Sequence, residues 1–184
     1  MARIQPHHPA ALTDEQRTLY QRITGGPRAN GPQHFALTAP DGSLRGPFDA
    51  FLLSPQVGDA LQQVGAAIRY RTGLPDRARE LAILLVAAHW GSAFERESHV
   101  AIARSLGVND VELAALEERD VTAFTGVENL VARTVLALLG GDLDDELWAE
   151  ASRELGAQVV FELTALVGYY STLALQLRVF RVDE

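Results

Sequence analysis

Apolar positions along the chain recur every three and four residues, and no segment alternates convincingly with period two, so the pattern predicts an all-α fold. The first helix opens at Thr13, a residue type that caps helix starts, continues through the acidic pair Asp14 and Glu15, and runs to about Ile23. Ser54 followed by Pro55 opens another, which reaches about Arg71 and stops at Gly73. Leu74-Pro75-Asp76 restarts a helix whose middle, Leu81 to Ala88, is apolar on every side. Such a helix lies at the centre of a molecule or in a subunit interface. Gly91 and Ser92 break it. The next helix reaches Leu106 with Gly107 as its C-cap, and Asn109 caps one that ends near Arg119. Further helices are expected at about 126–139, 144–155 and 158–180.

The segments between them are uneven. Residues 1–12 read as a tail. From Gly25 to Pro47 the chain carries Pro27, Pro32, Pro40 and Pro47 among five glycines, which predicts a long ordered loop or arm. Loops of that length are usually functional or wrap a neighbour. The expected organisation is therefore an N-terminal helix with a Gly/Pro-rich arm over 1–43 and a helical domain over 44–184. A faint echo links Arg104-Ser-Leu-Gly107 and Glu112-Leu-Ala-Ala-Leu116 to Arg153-Glu-Leu-Gly156 and Glu162-Leu-Thr-Ala-Leu166, as two related hairpin halves would.

Composition narrows the chemistry. With 184 residues, 47% hydrophobic and 22% charged, the chain is long enough for one domain with a sizeable core. Its formal net charge of −8 argues against a nucleic-acid or anionic-membrane partner, and an anionic ligand would need a local cation. Cysteine is absent, which excludes disulfides, thiolate catalysis and cysteine-ligated metals. The opening residues lack a secretory signal, and a cytoplasmic location follows as the expectation. The most membrane-like run, Val159 to Leu177, carries Glu162, Thr164, Ser171 and Gln176 without anchoring flanks, and is read as a buried helix. Phosphate-binding loops, dinucleotide fingerprints, nucleophile elbows and the common zinc and calcium motifs are missing, and no cofactor is expected.

The informative segment is Glu80 to Leu106. Ser92, Glu95, His99, Ala103 and Leu106 share one helix face by the i, i+3, i+4 rule. The apolar end of that face should look inward, so its other end aims a hydroxyl, a carboxylate and an imidazole at the same interior. Unpaired neutral polar groups there cost roughly 1–3 kcal/mol each. A hairpin bend at Gly91 brings Glu80, from the preceding helix, back toward Glu95 and His99. Two carboxylates and an imidazole in an apolar pocket shift one another's proton affinities, burial raising a carboxyl, as acid–base catalysis requires. Structural alternatives stay open: His99 bonded to Glu95 as a core histidine, Glu80 as a surface partner of Arg77, and Glu95 as a solvated helix residue. A divalent metal on Glu95 and His99 with Glu80 or His89 is allowed by spacing but is not the assignment made. His89, Trp90, Ser92 and Tyr169 are candidate substrate-binding residues, and Arg71 is the candidate cation for a substrate carboxylate. Glu162 is alone in an apolar stretch and reads as structural.

Several of these residues form a recognisable set. Arg77-x-Arg79-Glu80-Leu-Ala-Ile-Leu84, then His89-Trp90, Glu95, His99, Ala103 and Leu106-Gly107, resembles the carboxymuconolactone decarboxylase family of the alkyl hydroperoxidase D-like superfamily. Gly46-Pro47-Phe48, Leu53-Ser54-Pro55 and Gly168-Tyr169-Tyr170 resemble its longer members, so the likeness covers roughly 44–172. The resemblance implies an all-α fold assembled as a homo-oligomer, commonly a trimer or hexamer. In the peroxidase branch a glutamate, a CxxC pair and a histidine relay protons and electrons. These positions fall on Glu80, Ser92, Glu95 and His99, so both redox cysteines are missing and only the acid–base half remains. The expectation is a cofactor-free lyase or isomerase for a small carboxylated lactone or keto acid, with His99, Glu95 and Glu80 catalytic. A peroxidase-like antioxidant protein and a non-catalytic oligomeric small-molecule binder are the alternatives.

Overall fold

Some helix starts in this protein are fixed by side chains that occupy the free amides of a first turn. In the computed structural model, which describes residues 3–26 and 35–182, Thr13 Oγ1 accepts from the Gln16 amide at 3.3 Å and Gln16 Oε1 accepts from the Thr13 amide at 3.0 Å. That reciprocal cap opens α1 (Asp14–Thr24) where the sequence places it. Next come α2 (Pro47–Phe51), α3 (Pro55–Arg71), α4 (Asp76–Trp90) and α5 (Ala93–Ser105). The helix α6 (Asp110–Glu118) has the same reciprocal cap, built from Asn109 and Glu112. The chain closes with α7 (Gly126–Gly140), α8 (Asp145–Glu154) and α9 (Ala157–Phe180). Among the described residues no strand forms; a lone bridge joins Thr38 to Leu44. The C-cap of α5 is Leu106, one position before the expected Gly107, which follows it at φ 86°.

The chain divides into two compact units: residues 1–67 with 175–184 make one, and 68–174 the other. In the first unit the short helix α2 is buried along its whole length. Leu19 and Ile23 of α1 are buried, and Gln16 donates to the Leu52 carbonyl at 3.0 Å. The expected tail is docked here. The Arg3 amide donates to the Phe180 carbonyl at 3.0 Å, and the Arg3 guanidinium to that of Val179. His7 binds both oxygens of the buried Asp49, through its amide and its Nδ1, each at 3.0 Å. Of the expected arm, Pro27 and Pro32 lie outside the described residues.

Gly58 of α3 lies where a close approach forbids a side chain. A Cβ there would fall on the Phe51 carbonyl oxygen and within 2.7 Å of the Phe51 Cβ. Alanine is the better helix former by ~1 kcal/mol, but forced overpacking costs roughly 1–3 kcal/mol. Gly58→Ala should therefore lower the denaturant midpoint, and a raised midpoint would show that the α2–α3 contact yields freely.

In the second unit α4 is the axis. Ala78 through Ala87 are all buried, and the helix packs against α5, α6 and α7. This is the central placement its all-round apolar surface predicts. Arg77 leaves that axis sideways and pairs with Glu112 of α6 and Glu128 of α7. The helix α9 has the length and composition to cross a membrane, yet 44% of its most apolar stretch is buried. Val160, Leu163, Leu166, Val167, Tyr169 and Tyr170 turn inward, as in a core helix. Glu162 accepts from the Gly73 amide at 2.8 Å and from Gln158 at 2.9 Å, a structural role for the lone carboxylate.

Candidate functional site

The turn after α4 sets up the site. Gly91 adopts φ 62°, a left-handed conformation that glycine enters without strain, and sends α5 back along α4. Glu80, near the start of α4, then meets His99 in α5: Glu80 Oε2 lies 2.6 Å from His99 Nδ1, with Glu80 0% and His99 4% exposed. His99 Nε2 faces Glu95 Oε2 at 3.6 Å, near but beyond hydrogen bonding. Arg79 Nε stands 3.7 Å from Glu80 Oε1, while its Nη1 donates to Asp76 at 2.8 Å. Glu80 Oε1 itself has no hydrogen bond. The Tyr170 ring meets the imidazole edge-on at 5.3 Å, and Tyr169 stacks edge-on against Tyr170 at 5.2 Å.

Electrostatics assign Glu80 its state. Burial is the largest single influence and would push its carboxyl up. The charge and hydrogen bond of His99, with the charges of Arg69 and Arg79, together outweigh it and hold Glu80 below the usual carboxylate range. This corrects the expectation that burial leaves Glu80 raised. Tyr170 goes the other way, pushed well up by burial and then by the negative Glu95 and Glu80, so its phenol stays protonated.

The candidate residues fall into two groups, one inside the cluster and one outside it. Glu80 does not pair with Arg77, and His99 takes its short hydrogen bond from α4 rather than from Glu95. Ser92 occupies the N-cap position of α5 without capping it; its Oγ is buried and has no hydrogen bond. Trp90 donates to Ser171 Oγ at 2.9 Å and His89 is exposed against the Trp90 ring. Tyr169 is buried behind Tyr170. Arg71 is exposed at the end of α3; the cations acting on Glu80 are Arg69 and Arg79. Sequence reasoning missed both. Arg69 and Arg71 lie two apart, hence on different sides of a helix, and only the fold decides which turns inward. Among the described residues no group of three or more histidine, aspartate or glutamate side chains is disposed to hold a metal ion.

Residues 55–138 match the family model for carboxymuconolactone decarboxylases, a stretch holding the whole Glu80–Glu95–His99 cluster. The matched segment is shorter than the expected 44–172 and ends before Tyr169 and Tyr170, which complete the cluster's wall from α9. No curated protein matches the chain. The match points toward the decarboxylase and peroxidase-like chemistry of that superfamily. The total absence of cysteine removes the thiol-dependent version of it from this chain.

Proposed function

We propose that the protein is a cofactor-free acid–base lyase, a decarboxylase or isomerase, for a small carboxylated lactone or keto acid. One observation carries this reading: a buried imidazole held at Nδ1 by an ionised carboxylate, with its Nε2 turned to a second carboxylate. A carboxylate on Nδ1 fixes the ring's orientation and leaves Nε2 as the working nitrogen. In a decarboxylation the bond between the α carbon and the carboxylate breaks and CO₂ leaves. The electron pair remains as an enolate conjugated with the neighbouring carbonyl. His99 Nε2, as imidazolium, then protonates that carbon and is recharged from solvent. In this scheme Glu80 positions and stabilises the imidazolium, the Glu95 carboxylate beside Nε2 adds to that stabilisation, and Ser92 Oγ orients the carbonyl. Arg69, whose Nε is buried without a hydrogen bond, takes the substrate carboxylate in place of the exposed Arg71. Access is from the half-exposed Ser92 and Trp90 at the α4–α5 turn, which fits their assignment and that of His89 as substrate contacts.

We further propose the alkyl hydroperoxidase D-like arrangement and homo-oligomeric state of the family, with a trimer or hexamer expected. Phe161 and Val111, 72% and 77% exposed, support an assembly that covers them. The test of function is decarboxylation in D₂O, followed by NMR for keto acids and carboxylated lactones. Enzyme-dependent CO₂ release with one deuterium bound at the former carboxyl-bearing carbon is expected. Substrate binding without either would favour the non-catalytic binder.

A further inference from the structure

The first unit holds a cavity of about 360 Å³, inside the roughly 300–1,000 Å³ range of small-molecule sites, and no residue of the Glu80–His99 cluster lines it. One wall is the N-terminal strap, through Ile4 and Pro6, and this wall is tied at both ends. Arg3 is bonded to the Phe180 and Val179 carbonyls on one side, and His7 to Asp49 on the other. Leu44 and Val182 make most of the rest apolar.

The polar groups of the lining are unequal. Both oxygens of Asp49 are taken by His7, and Asp41 Oδ1 accepts from both the amide and the hydroxyl of Ser43. Asp49 is therefore fully committed, and exposed Asp41 keeps one oxygen turned to solvent. Arg45 is half-buried, and among the described residues no hydrogen bond or ion pair engages its guanidinium; only its backbone amide is bonded, to the Leu37 carbonyl. A guanidinium is always charged and presents donors matched to a carboxylate. In a chain of net charge −8 this is the local cation that an anionic ligand requires. We propose that the cavity is a binding site for a small, largely apolar molecule carrying one carboxylate, with Arg45 as the residue that recognises the anion.

Benzoate and its uncharged counterpart benzyl alcohol are suitable probes, titrated into the full chain with methyl-labelled NMR detection. Benzoate should shift the methyl signals of Ile4, Ala39, Leu44 and Val182 saturably, and should bind more tightly than benzyl alcohol. Arg45→Gln should weaken benzoate about tenfold or more while leaving benzyl alcohol unchanged, and Arg45→Lys should restore part of the loss. His99→Gln should bind benzoate like the wild type. The proposal is overturned by no saturable shift, by equal affinity for the two probes, by an Arg45→Gln affinity equal to wild type, or by shifts confined to methyls of α4. The probe comparison on the wild-type chain decides the question even if an Arg45 variant does not fold.

Discussion

Glu80→Leu is expected to cost the folded protein about 3–5 kcal/mol, because removing one partner of a buried pair leaves the other uncompensated. His99 would keep a buried ring whose Nδ1 has lost its 2.6 Å partner, and Arg79 would lose the carboxylate 3.7 Å away. The check is a denaturant titration of both proteins. A loss within the roughly 0–1 kcal/mol of a solvent-exposed pair would mean that the two residues are not held as a buried unit. The double variant Glu80→Leu/His99→Leu should recover most of the loss, since apolar groups of similar size can replace a buried pair at little cost.

The same carboxylate makes stability depend on pH with a definite sign. Its folded-state pKa is held below the ordinary value of 4.5, so the unfolded chain takes up its proton first as pH falls. The stability contributed by Glu80 is therefore complete above about 4.5 and drains away as pH drops through the lower folded value. Unfolding free energy measured across that acid window should fall more steeply for wild type than for Glu80→Gln.

The second large effect is on turnover. On the lyase reading, His99→Gln should reduce kcat by about 10²–10⁴, the usual worth of a positioned general acid or base, with a much smaller change in KM. Glutamine can still bond to Glu80, so the variant separates the proton-transfer role from the packing role. Turnover equal to wild type in folded His99→Gln would remove His99 from the chemistry.

Local features were legible in the sequence because their causes are local. Thr13 and Asn109 cap helices through bonds spanning three residues, and Gly91 turns the chain by its own backbone freedom. Glu80 and His99 were legible because two helical periods joined by a tight turn leave few ways for a polar face to go. The docking of His7 on Asp49 was not, since a bond across 42 positions leaves no periodic trace. Nor was the direction of the Glu80 shift. Burial and the cationic neighbours oppose each other there, and only their geometry decides which prevails. That an anionic ligand would need a local cation was readable from the net charge, but not which of Arg45, Arg69, Arg71 and Arg79 is placed to meet one.

The bond between the Arg3 amide and the Phe180 carbonyl places the two ends of the fold side by side. Within the first unit residue 3 thus meets residue 180 directly, and a covalent link between them would have little distance to span. A circular permutant with a short linker between these ends and new termini at the exposed Gly140–Gly141 turn would keep every helix described here intact. It would also give the strap a covalent continuation through the new linker.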